Sequence, residues 1–211
     1  MGQLDYVSLS PFDQSRLQEW ISWEGHGRVL DVGGGSGMIS RILTQASETE
    51  CICIDISFNL LTYSPVQSVQ TDALKLPFKD NVFDLIVAAA FFHHIPGREA
   101  EMLNECYRVL KPGGRLIGYD PNAHSIQNKI FMRGGPLRLK LFSPDERPIY
   151  PDVLRNQAIS NGFLEFTCFV FSFQNRKITF FEMVQRYVLS PLAKGPLKKF
   201  LNRWFFWSAV K

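Results

Sequence analysis

Residues 28–45, with the sequence RVLDVGGGSGMISRILTQ, decide the fold of this chain. The apolar residues before the glycines favour a short strand, the glycines favour a tight turn, and the apolar residues after Gly37 recur at helical spacing. A strand, a turn and a helix in this order indicate a parallel α/β sheet. Glycines at such a turn let a ligand approach the N–H groups of the following helix. We therefore expect a nucleotide-like cofactor at this turn.

The same alternation of apolar strands and helices continues along the chain. Continuous apolar strands separated by helices are typical of a parallel sheet that is covered on both faces. The stretch REAEMLNECYRVL, at 98–110, places its apolar residues on one helical stripe, and KPGG closes it. A second helix is predicted from Ser57 up to Pro65. The other predicted strands are CICIDIS, SVQTDA, FDLIVAAAFF, RLIGYD and LEFTCFVFSF, and the other predicted helices are SIQNKIFM and PDVLRNQAISN.

The C-terminal stretch at 203–211, RWFFWSAVK, is compatible with two structures. Its bulky aromatic residues and Val210 favour a closing strand, with helices inserted before it over residues 178–201. The alternative is an interfacial amphipathic helix over residues 194–207 that touches a membrane. Such a helix would place basic residues beside apolar ones, namely Lys198, Lys199 and Arg203 beside Leu197, Phe200, Leu201, Trp204 and Phe205.

Composition predicts one ordinary domain over residues 1–211, because 211 residues with 45% hydrophobic content can bury one core. The longest apolar run is too short to cross a bilayer, and the N-terminus lacks the features of a secretory signal, so we expect a cytosolic protein. The four cysteines are too few for a disulfide framework. Cys51 and Cys53 alternate on an apolar strand, which predicts buried thiols.

Charge is distributed unevenly along the chain. Residues 1–173 carry 15 basic and 19 acidic side chains, whereas residues 174–211 carry 8 basic and 1 acidic. Because the positive charge is local and no nucleic-acid-binding motif occurs, we expect no nucleic-acid partner. Only the C-terminal part could meet an anionic surface.

The spacing of the glycines excludes two common classes of nucleotide site. A dinucleotide fingerprint that starts at Gly33 requires Gly or Ala where Met38 stands, and one that starts at Gly35 meets Ser40. A P-loop is excluded because the chain contains no Gly-Lys-Ser or Gly-Lys-Thr. What remains is the spacing D-x-G-x-G-x-G at residues 31–37.

From residue 28 to residue 120 the chain resembles the class I S-adenosylmethionine-dependent methyltransferases, within the group that methylates small molecules and lipids. VLDVGGGSG, CIDIS, TDALKLPFKDNVFDLIVAAAFFHHI and RVLKPGGRLIGYDPN carry the resemblance, in order. The resemblance implies a Rossmann-like, seven-stranded, mostly parallel sheet with helices on both faces, an antiparallel closing strand and small helical lid insertions. It also implies S-adenosylmethionine as the cofactor.

The resemblance assigns roles to individual residues at the predicted cofactor site. The glycine turn and Asp31 would hold the methionine end, Asp55 would bond both ribose hydroxyls, and Asp72 would accept from the adenine amino group. Their alternative readings are a tight turn, a solvated strand end and a turn-capping residue, respectively. The complete set of expected cofactor contacts is Asp31, Gly33, Gly34, Gly35, Asp55, Ile56, Asp72, Ala73 and Ala89.

His93 and His94 are the candidate catalytic residues, because the resemblance places them at the end of the fourth strand, facing the acceptor; their alternative is loop packing. We expect no metal, since adjacent residues on an extended chain point to opposite sides and no carboxylate cluster accompanies them. If the acceptor is a hydroxyl, a general base is useful. Further candidates for that base are His124, Tyr119 and Asp120.

Methyl transfer to a small-molecule or lipid-like acceptor is the predicted function. Base methylation is not expected, because the fourth strand ends in AAAFF rather than an Asn/Asp-Pro-Pro-aromatic motif. Acceptor specificity is expected from insertions at 121–150 and 174–202, whose aromatic residues could equally be ordinary lid packing. The alternative function is a non-catalytic cofactor-binding module whose C-terminus meets a partner or a membrane. These insertions carry Phe131, Met132, Phe142, Phe180, Phe181, Met183 and Tyr187.

Overall fold

The structure is a computed structural model that describes residues 27–45, 49–132, 145–171, 195 and 197–211. The predicted insertions are therefore described only in part. Phe142, Phe180, Phe181, Met183 and Tyr187 lie outside the described residues, whereas Met132 is fully buried.

The seven strands in the described residues belong to one sheet, with the order β3-β2-β1-β4-β5-β7-β6. The first five strands in this order are parallel, and β7 runs antiparallel to both β5 and β6. The predicted α/β fold with an antiparallel closing strand is confirmed, although the last strand lies inside the sheet and β6 forms its edge. The strands are β1 Arg28–Val32, β2 Glu50–Asp55, β3 Gln67–Gln70, β4 Phe83–Ala89, β5 Leu110–Pro121, β6 Glu165–Phe171 and β7 Trp204–Val210.

Helices connect β1 to β2, β2 to β3 and β4 to β5, as the alternating pattern predicted, whereas residues 71–82 join β3 to β4 without a helix. A short 3₁₀ turn, Phe92–His94, follows β4. Helix α3 buries the apolar stripe that its sequence predicts, namely Met102, Leu103, Cys106 and Val109. The helices are α1 Met38–Gln45, α2 Phe58–Leu61, α3 Glu99–Val109, α4 Ile126–Phe131, α5 Pro151–Ser160 and α6 Lys198–Leu201.

The sheet separates two hydrophobic clusters, because successive side chains of a strand point to opposite faces. Leu30 and Ile86 pack in the cluster that contains α3 and α5. Val29 and Leu85, one residue earlier in each strand, pack in the cluster that contains α1. Cys51 and Cys53 are buried free thiols, as predicted, and burial raises the pKa of Cys51 to about 12.

Several predicted boundaries are wrong; the third strand ends at Gln70 rather than Ala73, and the fourth at Ala89 rather than Phe92. The helix that begins near Ser57 ends at Leu61 rather than near Pro65, and the Tyr63 and Ser64 N–H groups then donate to carbonyls three residues back. The predicted turn KPGG is part of β5, which begins at Leu110. Between the pairs Phe83↔Leu110 and Leu85↔Arg115 the register shifts, so residues 111–114 form an irregular stretch inside the strand.

The C-terminal stretch forms the closing strand, and the interfacial helix over residues 194–207 is wrong. Helix α6 spans only Lys198–Leu201, and Trp204 already pairs with both neighbouring strands. Phe205 and Trp207 are almost fully buried, on the face of the sheet that contacts α3 and α5. Aromatic residues that the helix would have presented to a membrane are therefore part of the core. Within the described residues, none of the helices is long and apolar enough to cross a bilayer.

Candidate active site

The carboxyl ends of β1, β2, β4 and β5 lie at one edge of the sheet, because these strands are parallel. Open α/β sheets bind their ligands at this edge. Every residue predicted to contact the cofactor lies at, or within a few residues of, the carboxyl end of β1, β2, β3 or β4. The fold therefore brings the predicted cofactor residues to one edge.

The turn after β1 requires its glycines. Gly33, Gly35 and Gly37 have φ values of +63°, +54° and +75°, a region that residues with a Cβ rarely adopt. A Cβ at Gly33 would also clash with the ring of Phe91. Gly34 N–H donates to the Ile54 carbonyl of β2 at 3.1 Å, which fixes the turn against the neighbouring strand.

Asp31 lies in β1, beneath the turn, and is fully buried. Its Oδ2 accepts hydrogen bonds from the N–H and the hydroxyl of Ser40, at 3.0 and 2.6 Å, so it anchors the first turn of α1. Its Oδ1 is buried without a hydrogen-bond partner among the described residues. Burial raises the pKa of Asp31 to about 6, although the Ser40 hydrogen bonds act in the opposite direction. Asp31 therefore places an incompletely compensated carboxylate under the turn.

Asp55, the last residue of β2, bridges the turn and the segment that follows β2. Its Oδ2 accepts the Gly35 N–H at 3.0 Å, and its Oδ1 accepts the Ser57 N–H at 2.8 Å. The side chain is only half-buried, so each carboxylate oxygen can accept further hydrogen bonds. The adjacent Ile56 exposes 74% of its surface. This arrangement fixes the carboxylate and leaves it accessible to a ligand.

The other predicted cofactor residues lie close to this pair. Thr71 N–H donates to the Asp55 carbonyl at 3.1 Å, which places the exposed Asp72 beside the end of β2. Asp72 Oδ1 accepts the Leu74 N–H at 2.9 Å, so the carboxylate does stabilise a turn, and its Oδ2 takes no hydrogen bond from the described residues. Ala73 is buried in the core, and Ala89 is half-buried at the end of β4.

His93 and His94 lie on one side of the chain, and the interpretation that they point apart is wrong. The chain leaves β4 through Ala90, whose φ of +53° is in the left-handed region, and then forms the 3₁₀ turn. In this tight turn the ring centroids of the two histidines are 4.1 Å apart. A carboxylate also accompanies them, since Glu146 Oε1 lies 3.6 Å from His94 Nδ1. Partial burial and the neighbouring His93 ring lower the pKa of His94 to about 4, although Glu146 opposes this.

Asp120, near the end of β5, holds His93 in place. Its Oδ1 lies 3.0 Å from His93 Nδ1 and accepts the His93 N–H at 3.1 Å, while its Oδ2 accepts Trp207 Nε1–H at 3.2 Å. Asp120 is fully buried, and burial keeps its pKa above the usual range against the effect of His93. The carboxylate therefore orients the imidazole ring rather than facing solvent.

The remaining base candidates make other contacts. Tyr119 is buried, and its ring packs edge-on against Trp204 and Phe206. His124 Nε2 lies 3.1 Å from Asp152 Oδ1, at the start of α5. The structure thus pairs His93 with Asp120, and His124 with Asp152.

Comparison with known proteins identifies the domain. Residues 30–118 match the family model described as a methyltransferase domain. Over these residues the chain is similar to the methyltransferase family that its motifs predicted. The prediction of this family, and of S-adenosylmethionine as the cofactor of the family, is confirmed.

The methyltransferase domain has curated relatives of known name. Over 129 residues it is 36% identical to the ubiquinone/menaquinone biosynthesis C-methyltransferase UbiE of Ruegeria sp., covering 56% of this chain and 51% of the relative. The relative from Roseobacter denitrificans is 33% identical over the same length. The chain thus spans about half the length of the curated relatives it matches.

Solved structures share the fold over nearly the whole chain. A SAM-dependent methyltransferase from Archaeoglobus fulgidus superimposes with a TM-score of 0.71 and 22% identity, covering 94% of this chain and 92% of that chain. The phosphoethanolamine N-methyltransferase 2 of Haemonchus contortus, in complex with S-adenosyl-L-methionine, gives a TM-score of 0.69 at 18% identity, covering 98% of this chain and 54% of that one. At these identities the similarity establishes the fold.

The edge formed by the carboxyl ends of the parallel strands has the chemical groups that S-adenosylmethionine requires. The ligand carries two vicinal ribose hydroxyls and a cationic amino acid end. A half-buried carboxylate at Asp55 can accept both hydroxyls. The unpaired Asp31 Oδ1 adds negative potential beneath the turn, which favours a bound ammonium group. The residues present therefore fit the cofactor of the family.

Two residues near the carboxyl ends of the strands were not predicted from the sequence. Glu146 lies in the loop before α5, and Trp207 lies on β7, 87 residues after Asp120. Neither belongs to a motif, and both reach this edge only through the packing of separate parts of the chain. No local pattern in the sequence could have indicated either one.

Proposed function

We propose that this chain transfers a methyl group from S-adenosylmethionine to a small-molecule or lipid-like acceptor. The observation that carries the proposal is the Asp55 carboxylate at the carboxyl end of β2, fixed by the Gly35 N–H of the glycine turn at 3.0 Å. This geometry holds one rigid hydrogen-bond acceptor beside backbone that a ligand can approach closely.

Each donor-side group has a distinct task in the proposed reaction. Asp55 accepts the ribose hydroxyls, with Ile56 against the sugar. Asp72 and Ala73 hold the adenine. The glycine turn and Ala89 enclose the methionine end, and Asp31 stabilises its ammonium group. In this assignment the residues are Asp31, Gly33, Gly34, Gly35, Asp55, Ile56, Asp72, Ala73 and Ala89.

The chemical step is an in-line displacement at the methyl carbon. Bound S-adenosylmethionine would supply the methyl group: an electron pair of the acceptor would form the new bond to carbon, the carbon–sulfur bond would break with its pair left on sulfur, and the acceptor would release its proton to a nearby base or to water. The protein's main work is to align the acceptor and exclude water. His93 and His94 lie on the acceptor side of this alignment, at the end of β4.

The names of the relatives support a lipid-like acceptor. Ruegeria UbiE is named as a C-methyltransferase of ubiquinone and menaquinone biosynthesis. A quinol ring that carries an apolar tail is one acceptor of this kind. The insertions at 121–150 and 174–202 would enclose it, while a cytosolic location, the absence of a nucleic-acid partner and a contact of the C-terminus with membranes stay predictions.

Calorimetric titration of the full chain with S-adenosylmethionine and S-adenosylhomocysteine tests the donor site. Asp55→Ala removes two charge-assisted hydrogen bonds to the ribose, so we expect a loss of affinity of about hundredfold. Asp80→Ala is the matched control, because Asp80 pairs with Arg108 just before β4, at the opposite edge of the sheet. Unchanged affinity in a folded Asp55→Ala protein would contradict the assignment.

A methyl-transfer assay with labelled S-adenosylmethionine and a short-chain naphthoquinol tests the acceptor class. We expect label in the quinol fraction. Tight cofactor binding without transfer to quinols, phenols or amines would instead favour the non-catalytic binding module.

A further inference from the structure

We propose that His93, His94 and Glu146 form a binding site for a borderline divalent transition-metal ion such as Zn²⁺. One potential ligand atom of each residue lies within 4.8 Å of those of the other two. Two imidazole nitrogens and one carboxylate oxygen are a ligand set that Zn²⁺, Co²⁺ and Fe²⁺ accept. Binding an ion would draw these three ligand atoms in to bonds of about 2.0–2.2 Å.

The environment of Glu146 indicates an unfilled need for a cation. Its side chain is only 12% exposed, so its charge is largely removed from water. Its carboxylate lies 3.6 Å from His94 Nδ1, which is longer than a hydrogen bond, and it accepts no hydrogen bond from the described residues. A carboxylate this buried is costly unless a cation or hydrogen-bond donors compensate its charge. A metal ion would supply that compensation.

His93 is already oriented as a metal ligand. Asp120 Oδ1 lies 3.0 Å from His93 Nδ1, which leaves Nε2 as the nitrogen that can coordinate. In histidine ligands of metals, the second ring nitrogen usually donates a hydrogen bond to a carboxylate or carbonyl, which fixes the tautomer and the ring orientation. Trp207 Nε1–H, donating to Asp120 Oδ2 at 3.2 Å, fixes this carboxylate in turn. The cluster therefore has both its ligands and their support.

The backbone holds the two halves of the site together. Arg147 N–H donates to the His93 carbonyl at 3.1 Å, which ties the loop of Glu146 directly to the histidines. Ile149 N–H donates to the Pro121 carbonyl at 2.8 Å, which ties the same loop to the end of β5. A site held in place before the ion arrives loses little freedom on binding. Three protein ligands also leave one coordination position open to water or to an oxygen of an acceptor.

Titration of the chelator-treated, tag-free full chain with Co²⁺ tests the proposal. We expect one Co²⁺ per chain, visible d–d absorption bands, and loss of the bands when Zn²⁺ is added. Glu146→Gln and His94→Asn each remove one ligand with little change in volume, and we expect at least about tenfold weaker binding. Asp120→Asn, which removes the carboxylate that orients His93 and leaves all three ligands in place, should weaken binding about tenfold.

Two matched controls distinguish this site from general metal binding by surface side chains. His124→Asn removes another histidine at this edge, and Glu101→Gln removes an exposed carboxylate on α3 that pairs with Arg98. Both should leave Co²⁺ affinity unchanged. Circular dichroism and S-adenosylmethionine binding of the same preparations show that each variant is folded and report separately on the donor site.

Three results would overturn the metal site. The first is the absence of stoichiometric Co²⁺ binding by the folded chain. The second is unchanged affinity in Glu146→Gln and His94→Asn. The third is an equal loss in the His124→Asn control. Loss of methyl transfer alone, with Co²⁺ binding intact, would bear only on the proposed function.

Discussion

The donor side and the acceptor side of this edge are built in different ways. On the donor side, at the ends of β1 and β2, the groups proposed to bind the ligand are backbone of a glycine turn and the half-buried carboxylate of Asp55. On the acceptor side, at the ends of β4 and β5, the groups are side chains. There a fully buried carboxylate, Asp120, holds His93 and in turn depends on Trp207.

This difference separates a local structure from a tertiary one. The turn on the donor side is local, since Gly33 to Gly37 follow one another directly, and its contacts with β2 span 20 positions. The acceptor side joins residues 27 to 87 positions apart. Changes to the core should therefore disturb the acceptor side strongly and the donor side little, and three predictions test this.

The largest expected effect is that of Gly118→Ala, in β5. A Cβ at this position would clash with the Trp207 indole and lie 2.7 Å from the Ala88 carbonyl oxygen. Overpacking of this kind destabilises cores, and we expect a loss of about 3 kcal/mol in the free energy of unfolding, measured with urea. The affinity of the remaining folded protein for S-adenosylmethionine should stay near the wild-type value.

Gly97→Ala is the control for this substitution, because its Cβ would meet nothing within 4 Å. It should lose only about 1 kcal/mol, for the residue's left-handed φ. A similar loss in both variants would contradict the clash with Trp207.

The second prediction concerns the pH dependence that Asp31 contributes on the donor side. The native state binds its proton more tightly than the unfolded chain, because the pKa is raised from 3.8 to about 6. Its stabilising contribution is therefore present at low pH and is lost as the pH rises through this range. Relative to Asp31→Asn, the wild type should lose about 2 kcal/mol between about pH 4 and pH 7.

Urea unfolding of both proteins across this pH range measures the difference. Deprotonation of Asp31 should also strengthen binding of the cationic donor, so S-adenosylmethionine affinity should rise with pH in the wild type only. Parallel stability curves for the two proteins would refute the contribution of Asp31.

The smallest expected effect is that of Trp207→Phe, on the acceptor side. The substitution removes the Nε1–H that donates to Asp120 Oδ2, and it leaves a ring in the contact with Phe92. We expect a loss of about 1.5 kcal/mol in the free energy of unfolding. Because the donor side does not use Trp207, S-adenosylmethionine affinity should be unchanged. A large drop in this affinity would show that the two sides are coupled.

The family, the parallel sheet and the donor side could be predicted from the sequence because each depends on contiguous residues. Apolar runs with period 2 or 3.6 indicate strands and helices. The glycines at 33, 35 and 37 have positive φ because the turn demands it, so their spacing carries the geometry directly. Asp55 is expected at the carboxyl end of β2 because it lies at the end of the apolar run that predicts this strand.

The sequence by itself thus determined the order of strands and helices, the glycine turn and the carboxylate of Asp55, all through local backbone chemistry. Only the tertiary structure decided that RWFFWSAVK is a strand inside the sheet, that Asp120 is buried against His93, and that Glu146 meets the two histidines. The physical reason is that helix and strand patterns depend on residues that are close together in the sequence. Contacts between the ends of separate strands and a distant loop arise only when the sheet has assembled and its aromatic residues are packed.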